Sequence, residues 1–369
     1  MKVLHFLHYP ENGIVTVVFE LIRHSLSEDI EHEVVLLQRS PKLDKLVAHY
    51  GHKVHYLSRP PLQSMRDLRR LLAEVEPDLI HVHSYRPRLL TALASWLGWW
   101  QGSVVASVHS EYTYLTGRDP RSRFKRFSER TALHALAAPV IVNNDRVREL
   151  AAAAYALPLE AIHKIYPGVS FPEPAEPAAE TRPVAVNVAR FTIEKNLDLL
   201  LDAWADVHTR LPEAKLWLVG DGELKPHLQA KATALGIADS VEFHGWVERN
   251  ELPRHLAPAR VFVLSSDREA LPTAAIEASL LGLPVVSTNV AGIDEIVEPD
   301  ASGLIVAGRE GLVQALLRLL SDPATARAMG QCGRERALRR FGVERFVTEL
   351  ETLYREAVAP AAAQQLAES

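Results

Sequence analysis

The sequence predicts an α/β protein of two doubly wound, Rossmann-like domains, because short apolar runs alternate with longer amphipathic segments in each half. At 369 residues the chain also exceeds the size that one hydrophobic core usually organises. Between the halves, Pro167–Pro183 is rich in proline and has no apolar periodicity. Proline removes backbone donors and restricts the preceding residue, so we expect an interdomain linker there.

Each half has its own series of predicted strands and helices. In the first half the strands are expected at Lys2–His8, Glu33–Leu37, His52–Leu57, Leu79–His83, Val104–His109 and Val140–Asn143, with helices at Val17–Leu26 and Arg66–Val75. In the second half the strands are expected at Val184–Val188, Lys215–Val219, Val241–Phe243, Val261–Ser265, Val285–Ser287 and Leu304–Val306. Helices are expected there at Asn196–Arg210, Leu224–Leu235, Thr273–Leu281 and Glu310–Leu320, and a last one at Val343–Ala359. Ligands of such sheets bind beyond the carboxyl ends of the strands.

Composition and charge exclude several classes of protein. A net charge of -5 gives no general reason to expect a nucleic-acid partner. Cys332 is the one cysteine, so neither an internal disulfide nor a cysteine-based zinc site is expected. The first residues lack the features of a secretory signal, and no apolar run is long enough to span a bilayer. We expect a cytoplasmic protein.

The nucleotide-binding and catalytic motifs that the chain lacks narrow the choice further. No G-x-G-x-x-G follows the first strand of either half, and Gly220-Asp221-Gly222 lacks the third glycine, so a dinucleotide dehydrogenase is not supported. There is also no P-loop, no G-x-S-x-G elbow, no H-E-x-x-H and no Asp-x-Asp pair. We therefore expect no cofactor and no metal, and any diphosphate must be neutralised by side chains and helix ends.

Two glutamates follow the buried strand that ends near Ser265. Glu269 lies in the loop after the strand, and Glu277 lies about one turn into the helix that begins near Thr273. A helix N-terminus just beyond a strand attracts phosphate oxygens, and a carboxylate close to it can accept hydrogen bonds from sugar hydroxyls. Taken singly, either glutamate is better explained by the favourable helix dipole alone than by a function.

Two cations follow another buried strand in the same half. Arg190 and Lys195 come directly after Val184–Val188 and before a helix. An arginine can pair with phosphate through two N–H groups and a lysine as a point charge, so together they can stabilise a departing diphosphate without a metal. Either cation alone would be read as a solvated surface charge.

In this arrangement the sequence resembles glycosyltransferase family 4, a family of retaining enzymes with the GT-B fold. The resemblance runs through nearly the whole chain and rests on an ordered set of short motifs. They are Asn12-Gly13, Pro77–His83, Ser107–His109, Pro167–Val169, Arg190 with Glu194-Lys195, Val219–Gly222, Glu269 with Glu277, and Gly282–Val286. The fold this implies has two domains that face each other across a cleft, with the last helix crossing back to the first. The implied boundaries are 1–168, a linker at 169–183, 184–342, and 343–369 for the returning helix and tail.

The resemblance also implies roles for residues at matching positions. Arg190 and Lys195 match the cations that grip the donor diphosphate, and Glu277 matches the glutamate that binds the ribose. Glu269 and His109 match residues that contact the donor sugar near the reaction centre. These two, with Arg190 and Lys195, are the expected catalytic set. The other expected donor-binding positions are Gly13, Gly220, Trp246, Val247, Leu271, Pro272 and Thr273. His81 and His83 match positions that are commonly structural.

The implied reaction is retaining, metal-independent transfer of a hexose-type sugar from a nucleoside-diphosphate sugar, with a UDP-sugar favoured over a GDP-sugar. The acceptor would be a saccharide or a lipid-linked acceptor in polysaccharide, lipopolysaccharide or glycolipid biosynthesis. Where the family often has Glu-Gly-Phe-Gly, this chain has Glu269-Ala270-Leu271-Pro272, which leaves the identity of the sugar open. Two alternatives stay open as well: a nucleotide-sugar epimerase of the same architecture, and a non-catalytic nucleotide-sugar binding protein.

Two segments suggest peripheral contact with the inner face of an anionic membrane. Residues 117–134 cluster six basic side chains with Phe124 and Phe127, a composition that suits a charged lipid surface as well as a solvated helix face. Trp96, Trp99 and Trp100 have helical spacing and could add an interfacial edge, or could pack in the core.

Overall fold

The chain folds into two compact units in a computed structural model. Unit 1 comprises Met1–Gly168 and Val343–Ser369, and unit 2 comprises Val169–Gly342. The structure describes residues 1–8, 13–25, 27–39, 53–108, 115–170, 182–248 and 250–368, without the side chains of residues 13, 14, 16 and 360–368.

Unit 1 is built on a parallel sheet of seven strands in the order β3-β2-β1-β4-β5-β6-β7. The strands are β1 (Lys2–Leu7), β2 (Glu31–Leu36), β3 (Val54–Tyr56), β4 (Leu79–Val82), β5 (Ser103–Val108), β6 (Val140–Val142) and β7 (Ile162–Lys164). Its helices are α1 (Gly13–Arg23), α2 (Pro61–Val75), α3 (Tyr85–Trp96), α4 (Pro120–Leu136) and α5 (Asp145–Tyr155), with a 3₁₀ turn at Leu159–Ala161.

Unit 2 repeats this plan with a parallel sheet of six strands in the order β10-β9-β8-β11-β12-β13. The strands are β8 (Val184–Val188), β9 (Lys215–Val219), β10 (Val241–Gly245), β11 (Val261–Leu264), β12 (Val285–Thr288) and β13 (Gly303–Val306). The helices are α6 (Leu197–Arg210), α7 (Lys225–Ala234), α8 (Leu252–Leu256), α9 (Thr273–Leu280), α10 (Ile293–Ile296), α11 (Gly308–Ser321) and α12 (Pro323–Phe341), with 3₁₀ turns at Ile193–Lys195 and Ala238–Ser240.

The predicted fold class of two doubly wound parallel sheets is confirmed, and the predicted strands lie within a few residues of the observed ones. The central strands are buried along nearly their whole length, as expected where helices cover both faces of a parallel sheet. Several elements were missed, among them strand β7 and helices α8, α10 and α12. Strand β7 is only three residues long and half-buried, so it leaves a weak apolar signal. Helix α12 was missed although Asp322 and Pro323 form a regular helix start, in which the Asp322 side chain accepts hydrogen bonds from the amides of Ala324 and Thr325.

Glycines inside α12 explain why its helical pattern is weak. A Cβ atom at Gly330 would lie 1.9 Å from the carbonyl oxygen of Gly282, at the end of α9. The helix therefore needs glycine at this position to approach α9 closely, although glycine lowers its intrinsic helix propensity.

The last helix, α13 (Val343–Glu368), packs within unit 1. Its buried side chains include Val347, Leu350 and Tyr354, which join a cluster with Val3 of β1 and Leu79 of β4. The apolar face of α13 thus covers one face of the unit 1 sheet.

A network of histidines lies beneath α13 on that face of the sheet. His5 and His81 are register partners on β1 and β4, so their side chains point to the same face. Nδ1 of His5 lies 3.2 Å from Nε2 of His83, and Nε2 of His5 lies 3.0 Å from Nδ1 of His32. The two ring nitrogens of His81 lie 2.6 Å from the Tyr354 hydroxyl and 2.7 Å from Oγ of Ser107. The expected structural role of His81 and His83 agrees with these contacts.

The titration of His5 makes the stability of unit 1 depend on pH. Burial, followed by the charges of His32 and His81, lowers the pKa of His5 well below its ordinary value. The folded protein therefore keeps His5 neutral, whereas the unfolded chain binds a proton near pH 6.5. The stabilisation is present above that pH and is lost as the pH falls towards the lowered pKa.

We expect the protein to lose stability, and its thermal unfolding temperature therefore to fall, as the pH is lowered from 7.5 towards 5. This one group can lower the free energy of unfolding by up to about 1.4 kcal/mol per pH unit. In His5→Gln the dependence on pH should be shallower, because glutamine does not titrate. Scanning calorimetry at a series of pH values measures both slopes. The matched control is His134→Gln on the exposed side of α4, which should keep the wild-type slope. Equal slopes in wild type and His5→Gln would contradict the assignment.

Candidate donor site at the carboxyl edge of the unit 2 sheet

The predicted site residues of unit 2 follow four neighbouring strands at one edge of the sheet. Arg190 and Lys195 come after β8, Gly220 after β9, Trp246 after β10, and Glu269 after β11. The strands on either side of β8 are β9 and β11, so the order of the chain reverses between β8 and β11. Open α/β sheets place their ligands at this switch point, beyond the carboxyl ends of the strands.

The loop after β8 presents Lys195 at the start of α6. A 3₁₀ turn, Ile193–Lys195, is followed by Asn196 in the left-handed region, with φ 44° and ψ 48°. Asparagine tolerates this conformation better than most residues, and its Oδ1 accepts a hydrogen bond from the amide of Leu199, capping the helix. Arg190 is exposed at the beginning of the same loop.

The loop after β11 meets Lys195 directly across the switch point. Nζ of Lys195 donates a hydrogen bond to Oε1 of Glu269 at 2.6 Å, with side chains that are 24% and 12% exposed. The same Glu269 oxygen accepts a hydrogen bond from Oγ of Ser266 at 2.7 Å. The cation and the carboxylate that the sequence assigned to one site are therefore an ion pair in the folded unit.

Backbone contacts hold these two loops side by side. The amide of Asp267 donates to the carbonyl of Glu194 at 2.9 Å, and Nδ2 of Asn196 donates to the Asp267 carboxylate at 2.7 Å. Burial opposes ionisation of Glu194. Hydrogen bonds from its own backbone and from Thr192, with the charges of Lys195 and Arg190, nevertheless keep its pKa below the ordinary value. The two loops therefore form one continuous surface.

Glycines allow a third loop to pack on the one that carries Arg190. Gly220, after β9, has φ +137°, and a Cβ atom there would lie 1.9 Å from the carbonyl oxygen of Ala189. A Cβ at Gly222 would lie 2.5 Å from the carbonyl oxygen of Phe191. Any side chain at these positions would push the loops apart, which is the physical reason for the two glycines that the sequence displays.

Helix α9 begins where the loop after β11 ends. Pro272 caps it without a side-chain hydrogen bond, Leu271 and Pro272 are buried, and Thr273 is exposed at the first turn. Glu277 lies half-buried on the second turn. First-turn amides of a helix favour an anion, so this end of α9 suits a phosphate.

The loop after β10 begins with an exposed aromatic side chain. Gly245, with φ +71°, accepts a hydrogen bond from the amide of Gly220 at 2.7 Å, which fixes this loop beside the glycine turn after β9. Trp246 follows and is 61% exposed, with Val247 half-buried next to it. A flat exposed ring at the edge of the site is suited to stacking on a planar group.

Several residues of this edge were missed by sequence reasoning. They are Ser265, Ser266, Asn196, Asp267 and Thr288, which bond the loops together, and Gly292. A Cβ at Gly292 would lie 2.5 Å from the carbonyl oxygen of Ala270. The one available signal was the pair of serines directly after a buried strand, since hydroxyls in such a place need partners.

Of the two site residues predicted in unit 1, the structure describes only Gly13. Gly13 is the first residue of α1, just beyond β1. His109, with residues 110–114, lies outside the described residues. His8, which follows β1 and was not predicted, has its pKa lowered to about 4 by burial and by the charges of Arg86 and Lys125. Arg86 and Lys125 therefore place positive charge near the carboxyl end of β1.

Helix α4 exposes the basic and aromatic face that the sequence suggested. Phe124 and Phe127 are each 68% exposed. Arg121, Arg123 and Arg130 are exposed beside them. On the opposite side of the helix, Glu129 forms a fully buried ion pair with Arg88 of α3 and accepts a hydrogen bond from the Tyr155 hydroxyl at 2.6 Å. The buried pair fixes which face of α4 is turned outward.

Of the two interpretations of the tryptophans, core packing holds for Trp99 and Trp100, and only Trp96 is exposed among the three. Helix α3 ends at Trp96, and Gly98, with φ +72°, turns the chain. Trp96 is 81% exposed, whereas Trp100 is buried at 8%, and the guanidinium of Arg69 lies over the ring of Trp99. The spacing was helical in the sequence, but a glycine in the left-handed region ended the helix before the second and third tryptophans.

Three histidines of the network, His5, His81 and His83, lie close enough together to share a metal ion. Within the described ranges, one nitrogen from each of His5, His81 and His83 lies within 4.8 Å of the others. A metal ion there would have to displace hydrogen bonds that His5 and His81 make in the folded unit.

Among the helices of the described residues, none combines the length and the apolar character of a membrane-spanning segment.

Two family models together match nearly the whole chain. The model described as Glycosyltransferase Family 4 matches residues 11–171, and the model described as Glycosyl transferases group 1 matches residues 172–336. A curated relative from Mycobacterium tuberculosis, named GDP-mannose-dependent alpha-(1-6)-phosphatidylinositol monomannoside mannosyltransferase, is 31% identical over 289 residues, which are 73% of each chain.

Two further proteins with similarity to this chain are of interest. The lipopolysaccharide core biosynthesis glycosyltransferase LpsE of Rhizobium meliloti is 34% identical over 164 residues, covering 44% of this chain and 46% of LpsE. The crystal structure of HepE from Anabaena in complex with UDP superimposes with a TM-score of 0.83, covering 96% of this chain and 100% of HepE at 20% identity. The structural likeness shows that the fold is the GT-B fold of glycosyltransferases.

Proposed function

The chain belongs to glycosyltransferase family 4, and on that premise we propose that it transfers a hexose from a nucleoside-diphosphate sugar to a lipid-linked saccharide or glycolipid. The observation that carries the proposal is the Lys195–Glu269 pair at the switch point of the unit 2 sheet. A cation for the leaving diphosphate and an acceptor for sugar hydroxyls stand there within hydrogen-bond distance of each other.

The donor is held by groups from four loops. Arg190 and Lys195 bind the diphosphate, assisted by the first-turn amides of α9. Glu277 accepts hydrogen bonds from the ribose, and Glu269 from the transferred sugar. Leu271 and Thr273 contribute backbone groups, and Pro272 contributes its carbonyl, because it has no N–H. Trp246 stacks on the base and Val247 packs beside it, and Gly220 lets the loop after β9 pack closely on Ala189. Gly13 and His109 keep the donor-binding and catalytic roles that the resemblance implies.

The reaction proceeds with retention and without a metal in this proposal. Glu269 shares one carboxylate oxygen with both Lys195 and Ser266, which favours hydrogen bonding over nucleophilic attack for this side chain. The two cations stabilise the diphosphate as its bond to the sugar breaks. The acceptor hydroxyl attacks the anomeric carbon from the face that the diphosphate leaves and passes its proton to the departing phosphate oxygen, so the configuration is retained.

The base of the donor is the point on which the sequence and the relatives differ. The sequence-based preference for a UDP-sugar stays a prediction. The relative that is 31% identical over most of both chains is named for GDP-mannose, whereas the UDP complex of HepE is 20% identical. We therefore place GDP-mannose first and a UDP-hexose second.

A membrane surface supplies the acceptor in this proposal. Helix α4 turns Phe124, Phe127 and three arginines outward, a combination that inserts aromatic rings among lipid headgroups while the arginines pair with anionic lipids. The names of the mannosyltransferase relative and of LpsE, which concern a phosphatidylinositol mannoside and lipopolysaccharide core, are consistent with an acceptor of this kind.

The donor panel is the primary test of this function. In buffer with EDTA, GDP-mannose, UDP-glucose, GDP and UDP are titrated by calorimetry, and sugar transfer to a lipid extract is followed with the donors that bind. We expect one base to be preferred, slow hydrolysis without acceptor, and full activity with the chelator. Failure to bind any of the four would overturn the proposal. Loss of activity in EDTA would overturn the metal-free step, and acceptor-independent epimerisation of the donor would favour an epimerase.

Replacing Lys195 with alanine should reduce kcat/KM by about a hundredfold or more, because the leaving diphosphate loses a charged partner. Lys215→Ala is the matched control. Lys215 stands at the amino end of β9, on the opposite edge of the same sheet, where it donates to the carbonyl of Asp239. Steady-state kinetics and the unfolding temperature are measured for both variants. Wild-type kinetics in Lys195→Ala would remove the diphosphate assignment.

Replacing both Phe124 and Phe127 with alanine should weaken binding to anionic vesicles by about tenfold or more, because two apolar rings no longer enter the lipid. Co-sedimentation is measured with phosphatidylcholine vesicles, with and without phosphatidylglycerol, at low and high salt. Trp96→Ala is the control and should bind as wild type, because Trp96 is an aromatic residue that is even more exposed but lies on α3, outside the basic face. Equal loss in both variants, or binding that ignores lipid charge and salt, would contradict the role of α4.

A further inference from the structure

Two consecutive serines directly follow strand β11, and both are buried. Ser265 is 0% and Ser266 is 1% exposed. A buried hydroxyl without a partner is costly, so each of them is expected to serve a specific acceptor. Oγ of Ser265 donates to the backbone carbonyl of Lys195 at 3.0 Å, and Oγ of Ser266 donates to the carboxylate of Glu269 at 2.7 Å. One serine thus holds the chain that carries the lysine, and the other holds the glutamate itself.

The position of Ser266 is fixed independently of Lys195 and Glu269. Its carbonyl accepts a hydrogen bond at 2.7 Å from Oγ1 of Thr288, the last residue of the neighbouring strand β12. The hydroxyl that reaches Glu269 therefore projects from a backbone that is bonded on the side away from Lys195.

In the folded unit, Oε1 of Glu269 has two donors of different character. Lys195 is a charged group on a long side chain, and its ammonium can turn to a stronger anion. Ser266 is a short neutral side chain on a buried strand end. A bound diphosphate competes with Glu269 for the ammonium group of Lys195. It does not compete for the hydroxyl of Ser266, because that side chain is buried.

We propose that Ser266 is a positioning residue, which keeps Glu269 oriented towards the donor sugar once the diphosphate has drawn Lys195 away. This inference rests on the proposed function and deepens it. In the free protein the lysine and the serine both hold the carboxylate. In the donor complex the serine holds it alone, which leaves the remaining lone pairs of Glu269 to accept hydrogen bonds from the sugar hydroxyls.

If Ser266 has this role, its loss should affect the binding of two ligands differently when they differ only in the sugar. A nucleoside diphosphate engages Lys195 but makes no use of Glu269, whereas a nucleotide sugar uses both. Removing the Ser266 hydroxyl should therefore leave the affinity for GDP or UDP nearly unchanged. The affinity for GDP-mannose or UDP-glucose, and the rate of transfer, should fall. A purely structural serine would change both ligands equally.

The test compares Ser266→Ala with Ser279→Ala in the full chain. Ser279 is a buried serine of α9 whose hydroxyl donates to the carbonyl of Ala275, so it controls for the loss of any buried hydroxyl in this unit. Calorimetry gives Kd for GDP, UDP, GDP-mannose and UDP-glucose, and kinetics give kcat and KM with the preferred donor. For Ser266→Ala we expect nucleoside diphosphate affinity within about twofold of wild type, and kcat/KM lower by about ten- to a hundredfold, the effect of a hydrogen bond to a charged group. Ser279→Ala should match wild type in every value.

A second variant keeps the proposal testable if Ser266→Ala does not fold. Thr288→Val preserves shape but releases the carbonyl of Ser266, and it should show the same selective loss with the nucleotide sugar, only smaller. Equal losses for both kinds of ligand, or none, in the folded variants would overturn the proposal. If the wild-type protein binds none of the four ligands, the proposed function fails first, and the two failures are thereby distinguished.

Discussion

The ion pair between Lys195 and Glu269 is the interaction on which the candidate site depends. It joins loops that are about 70 residues apart in the chain, because β8 and β11 are neighbours in the sheet although β9 and β10 lie between them in sequence. Neither loop has this geometry by itself. The lysine is held at the start of α6 by the left-handed Asn196, and the glutamate is held by a serine at the end of β11. The switch point of the sheet brings the two together.

Unit 1 has a similar sheet topology, but one face of its sheet is covered by the last helix of the chain. Its sheet also reverses order beside the first strand, but α13, from the end of the chain, covers one face. Beneath that helix, hydrogen-bonded imidazoles occupy positions where apolar side chains would be usual, and their contacts reach the Tyr354 hydroxyl. Burial lowers the pKa of His5 well below its ordinary value, so protonation of His5 opposes this packing and links the last helix to pH.

The sequence was sufficient for the features that depend on periodicity and on strand ends. Alternating apolar runs located most strands, and parallel topology then required Arg190, Lys195 and Glu269 to lie on one edge. It was not sufficient for features that depend on contacts between distant loops. The hydrogen bonds of Ser266, and the close approach that requires Gly292, become visible only when β11 and its neighbours are in place. The tryptophan spacing misled for a local reason, since Gly98 ends the helix within the pattern.

A crystal structure of the full chain with an intact nucleotide sugar would test the central claim most directly. We predict that diphosphate oxygens contact Nζ of Lys195 and the guanidinium of Arg190, that a hydroxyl of the sugar donates to Glu269, and that the ribose donates to Glu277. We also predict that the hydrogen bond from Ser266 to Glu269 persists in that complex. The claim would be contradicted if the diphosphate bound away from the carboxyl edge of the unit 2 sheet and left the Lys195–Glu269 pair undisturbed.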